Sequence, residues 1–114
     1  MTMNPIEVAV RVVVDLLVRG EYGAIEKLTR GVRLSASELE SSIRNYGRTL
    51  VPPGPAWWTS VTITPVVAEG PPAVHLAVPL WTAEEGRSDL TLELKLTQSA
   101  WGTLDTEVLD IHVL

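Results

Sequence analysis

The chain has 114 residues, a formal net charge of -5, 14 Asp and Glu against nine Lys and Arg, and no cysteine. That length carries one core and no independent second module, so a single domain over residues 1–114 is expected. Scattered cations on an acidic chain argue against a nucleic-acid partner, and the lack of thiols removes disulfides and thiolate metal sites, as suits a reducing cytoplasm.

Apolar residues make up 46% of the chain, with four Trp and no Phe, so the interior should be aliphatic with the large rings at its edges. The apolar run from Ile6 to Val18 is interrupted by Glu7, Arg11 and Asp15 and is followed by no small-residue cleavage site. It is also shorter than the roughly 20 residues that a membrane span requires. It is expected to be a helix of a soluble domain.

Asn4-Pro5-Ile6-Glu7 starts that helix with a side-chain cap, a proline in the first turn and an acid near the positive end of the dipole, and Gly20 stops it. Charges at 7, 11, 15 and 19 alternate in sign at a four-residue spacing, which predicts one wet stripe on a helix buried on most sides. Residues 22–29 predict a short second helix closed by Gly31. Ser35 and Glu38 form a capping box inside a staple of Leu34 on Leu39, opening a third helix that Gly47 ends.

Pro52, Pro53, Gly54 and Pro55 predict an irregular crossover over residues 48–57. Four strands are expected after it, over residues 58–67, 73–81, 88–97 and 103–113, and the short links between them demand an antiparallel meander. Leu90, Leu92, Leu94 and Leu96 alternate with Asp89, Thr91, Glu93 and Lys95, giving one buried face and one wet face. Leu104, Thr106 and Val108 have one parity and Leu109, Ile111 and Val113 the other, which predicts a bulge near Val108. The fold class is α+β, with three N-terminal helices on one face of a curved four-stranded sheet.

Matching apolar faces sets Val78 against Leu92, Leu76 against Leu94 and Leu90 against Ile111. On that register Trp81, Asp89 and His112 share a row of the wet face, with Arg87 and Asp110 nearby, and this is the candidate binding patch. An Asp beside a His can orient the imidazole and raise its pKa, although a solvated cross-strand pair has the same look. Without a nucleophile, metal or cleft it is not a catalytic site. No inward strand position ionises, the list running from Val61 and Ile63 through the leucines to Leu109, Ile111 and Val113.

No metal or cofactor is expected, because His75 and His112 belong to different strands and His75 lies opposite Lys95. Glu84-Glu85-Gly86-Arg87 is either an anionic recognition loop or a solvated hairpin tip. Trp57 and Trp58 either form an exposed aromatic anchor or close the end of the core. If a pocket of about 300 Å3 opens between helices and sheet, Tyr46, Arg48, Trp57 and Trp58 are its candidate lining.

Three helices followed by such a meander resemble the cone-shaped nuclear-transport-factor-like and cystatin-like folds, which host isomerases, dehydratases, dimerisation modules and toxin-immunity proteins. The segments Tyr46-Gly-Arg-Thr-Leu50, Val78-Pro-Leu-Trp-Thr82, Glu85-Gly-Arg-Ser-Asp-Leu-Thr-Leu-Glu-Leu94 and Asp110-Ile-His-Val-Leu114 resemble an uncharacterised bacterial family of unknown function, from about Val8 onward. Arg48, Trp81, Arg87, Asp89, Asp110 and His112 lie in those segments. The expected function is a non-enzymatic cytoplasmic binding module, regulatory or of immunity type, that meets a protein partner or a second copy through the wet sheet face. A small-ligand protein or minor enzyme with an interior cavity is the alternative, and neither nucleic acid nor membrane is an expected partner.

Overall fold

The computed structural model describes residues 4–114. Three helices, α1 (Pro5–Val18), α2 (Tyr22–Thr29) and α3 (Ala36–Tyr46), precede strands β1 (Leu50–Val51), β2 (Thr62–Pro65), β3 (Ala73–Thr82), β4 (Gly86–Gln98) and β5 (Leu104–Val113). The architecture is α+β, with an open antiparallel sheet in the order β1-β3-β4-β5 and β2 paired to the same edge of β3 as β1.

Each helix is punctuated as its sequence dictates. Asn4 Oδ1 accepts a hydrogen bond from Ile6 N at 2.8 Å, satisfying one of the orphan donors of α1. Ser35 and Glu38 close the capping box of α3 from both sides. Gly47 caps α3 in left-handed backbone, whereas α2 is capped by Arg30 in that conformation with Gly31 following it in the same region. Glu7 with Arg11 and Asp15 with Arg19 form the expected ion-pair stripe at 2.9 and 3.2 Å.

α1 buries less than its composition promised. Val10, Val13, Val14 and Leu17 enter the core at helical spacing, but Val8 and Val12 remain 43% and 44% exposed, so the helix has one buried stripe. The sheet covers only one side of a helix, and α2 and α3 are too short to wrap the other.

The core is aliphatic, joining those valines to Ile25, Leu39, Ile43 and the even-numbered leucines of β3 and β4, with Trp57 closing one end. Leu76, Val78, Leu92 and Leu94 are fully buried, so the leucine face turns inward as its period of two requires. The buried polar groups are Thr29, Thr82, Ser88, Thr91 and Thr106. Among the described residues no charged side chain and no histidine is buried.

The first expected strand is largely not one. Trp57–Ser60 forms a turn of 3-10 helix and only Thr62–Pro65 extends, on the outer edge, where Ile63 is 42% exposed rather than inward. Two residues of the crossover, Leu50 and Val51, pair instead with Thr82 and Trp81. Such a short strand has no periodicity to read and exists only because β3 offers it an open edge. Val113, also expected inward, is 57% exposed at the end of β5.

Two registers depart from the simple alignment. Val78 faces Leu92 and Leu76 faces Leu94 as expected, but past Pro79 the strand β4 spends Ser88, Asp89 and Leu90 opposite Leu80 alone, so Trp81 faces Arg87 and not Asp89. Ser88 stabilises this bulge: its Oγ donates to Leu80 O at 2.8 Å and accepts from Leu90 N at 3.2 Å. On the other side, Ile111 faces Leu92 and not Leu90, His112 faces Thr91 and not Asp89, and the predicted bulge falls at Leu109, next to Val108.

Candidate functional site

The outer sheet face gathers ionisable groups around Glu93. His75 on β3 faces Lys95 and His112 on β5 faces Thr91, so each histidine stands two residues from Glu93 in register, on opposite sides of it. Diagonal neighbours at that spacing are within reach of long side chains. His75 Nε2 lies 2.8 Å from Glu93 Oε1, and His112 Nε2 contacts Glu93 Oε2, so one carboxylate accepts from both rings. Asp110 stands directly opposite Glu93 and accepts from Ile111 N at 2.9 Å.

These side chains are partly dried: 32% of His75, 27% of Glu93 and 34% of His112 remain accessible. Desolvation pushes the Glu93 carboxyl up, but the hydrogen bonds and charges of His112 and His75 outweigh it and leave its pKa below the ordinary 4.5. His112 is raised above the ordinary 6.5, chiefly by its hydrogen bond to Glu93 and against some desolvation. The acid that orients the imidazole is therefore Glu93 and not Asp89.

The expected patch divides into two parts. Asp110 and His112 belong to the Glu93 cluster, whereas Trp81 and Arg87 pair at the hairpin end of the sheet. Asp89 is exposed beyond the end of β5, and its carbonyl accepts from Leu114 N at 3.0 Å. Trp81 is not a free aromatic anchor. A Cβ built on Gly54 would lie 3.1 Å from the Trp81 ring, so the proline segment packs its backbone directly on the indole.

Tyr46, Arg48, Trp57 and Trp58 do not converge on one cavity. Trp57 is buried and meets Trp58 edge-on at 5.3 Å, with the Arg11 guanidinium 5.0 Å from a Trp57 ring centre. A cleft of about 160 Å3 beside Trp57 is lined by α1 and the proline segment, with neither Tyr46 nor Arg48. Tyr46 lines a separate open groove of about 340 Å3 with Ser42, Asn45, Ile111 and His112. Its hydroxyl donates to the Glu85 carboxylate at 2.8 Å, which raises the phenol pKa.

The acidic hairpin tip is tied down. Glu85 also accepts from Thr82 Oγ1 at 3.1 Å, while Glu84 accepts from Thr49 N at 2.9 Å and from Thr49 Oγ1 at 3.1 Å. The bond from Thr49 N is the main reason that the Glu84 carboxyl lies below its ordinary value. Both carboxylates thus fasten the β3–β4 turn to the segment after α3.

Sequence reasoning missed Glu93 and the joining role of His75. The signal was present: the Val78–Leu92 register places His75 opposite Lys95, and one diagonal step from there reaches Glu93.

Three helices followed by an open antiparallel sheet define an α+β domain of helices-then-sheet order. The chain belongs to the family described as a domain of unknown function, DUF7668, which it matches over residues 14–114. No significant match was found among curated proteins or among solved structures. Among the described residues no helix is long and apolar enough to cross a membrane.

Proposed function

We propose that this domain is a non-catalytic binding module of the bacterial cytoplasm, with the outer sheet face as its recognition surface for a protein partner or a second copy of itself. The observation that carries this reading is the division of chemistry between the two faces. Among the described residues the core under the helices holds aliphatic side chains, Trp57 and hydroxyls but no buried ionisable group, while the ionisable cluster of Glu93, His75, His112 and Asp110 lies on the face that the helices leave open. An enzyme of the cone-fold type needs an acid or base inside its cavity, and that space is filled here by leucine and valine. A cavity-based ligand site accordingly has less support. A regulatory or immunity role is the form of binding that best suits so small an acidic domain.

The double substitution Glu93→Lys with Asp110→Lys inverts the charge of the face without touching the core. Light scattering and capture of partners from the native cytoplasm should show loss of self-association or of the captured protein, with circular dichroism unchanged. If both remain as in the parent chain, the outer face is not the recognition surface.

A further inference from the structure

We propose that Glu93, Asp110 and His112 form a site for a divalent transition metal of the zinc class, with His75 as its positioning residue. One ligand atom from each of the three lies within 4.8 Å of the other two. Ligands around tetrahedral zinc stand about 3.4 Å apart at bond lengths of about 2.1 Å, so side-chain rotation alone closes the set. A mixture of one imidazole and two carboxylates suits a borderline metal and is too poor in oxygen for calcium.

The strand arrangement gives the site its rigidity. Glu93 and Asp110 are directly opposed across β4 and β5, a like-charge pair whose repulsion a cation placed between them would relieve. His112 Nε2 already aims at Glu93 Oε2, and a metal entering between these atoms displaces the ring proton. The other nitrogen, Nδ1, faces Val113 O at 3.5 Å, so the remaining N–H has an acceptor once Nε2 binds metal.

His75 holds Glu93 Oε1 from the far side at 2.8 Å, which leaves Oε2 directed at the site. Lys95, opposite His75, makes that flank the less favourable one for a cation, and Glu107 opposite Lys95 offsets it. His75 positions and does not ligate, because its ring is not among the ligand groups that converge within 4.8 Å and its Nε2 is already engaged with Glu93 Oε1. Different strands do not separate the two histidines, because β3 and β5 are both neighbours of β4. The outward face leaves the fourth coordination position to water.

The test is titration of the chelator-treated full chain with zinc chloride, followed by calorimetry and native mass spectrometry, with magnesium chloride as the comparison. One zinc per chain is expected, with magnesium much weaker. His112→Asn and Asp110→Asn should each weaken zinc by about tenfold or more. His75→Ala should lose about tenfold and His75→Gln, which keeps an N–H donor, should recover most of it. Absence of a zinc-bound mass in the parent chain, or unchanged affinity in folded His112→Asn, overturns the site. Because the readout is zinc and not a partner, a chain that binds zinc but captures nothing refutes the docking reading alone.

Discussion

Glu93 is the side chain on which the outer face depends, since it accepts from rings on both neighbouring strands. The metal-free chain therefore has a defined pH response. The folded pKa of His112 is raised, so its contribution is complete below the ordinary 6.5 and lost as pH rises through the folded value. The folded pKa of Glu93 is lowered, so its contribution is complete above the ordinary 4.5 and lost as pH falls through the folded value. The pair stabilises most between those two values. His75, Lys95, Asp110 and Glu107 share the face and add to or screen this effect, which stays below about 1 kcal/mol for groups this exposed. In Glu93→Gln the His112 titration, followed by its imidazole NMR signals, should move down toward 6.5. An unmoved titration would mean that another group holds the proton.

Among the elements, the proline segment has the most specific fit. At Gly54 it packs against Trp81 so closely that an added Cβ would stand 3.1 Å from the ring, tighter than ordinary van der Waals contact. Gly54→Ala should cost about 1 kcal/mol in urea unfolding, because the indole edge, packed on a segment held by the bond from Trp57 N to Gly54 O at 3.1 Å, must give by a few tenths of an ångström to admit the methyl. Combining it with Trp81→Ala should cost less than the two single changes together, because the clash disappears. The helices and the long strands were legible because caps, glycine stops and alternation are local signals, as at Asn4, Ser35 and Gly47. β1 was not legible, since Leu50 and Val51 extend only against the edge that β3 presents.

The molecule as one body rests on the leucine face of β4. Leu94 is fully buried at its centre, and Leu94→Ala should destabilise the chain by about 2–5 kcal/mol in a single cooperative urea transition. A loss of only a few tenths would place the core elsewhere. Alternation also explains the errors of register. A period of two assigns each residue to a face, so pairings that differ by two residues satisfy it equally well. Leu90 or Leu92 could thus meet Ile111, and Asp89 or Arg87 could meet Trp81, on hydrophobic grounds alone.

From its residues alone the chain determined its helices, its α+β order and an interior without charge, since each follows from caps, punctuation and the alternation of apolar side chains. Which polar groups meet on the other face was decided only when the strands paired. Pairings two residues apart put the same side chains on each face, so only the actual register of β5 on β4 set His112 against Thr91 and within reach of Glu93, while the Ser88 bulge separately set Trp81 against Arg87.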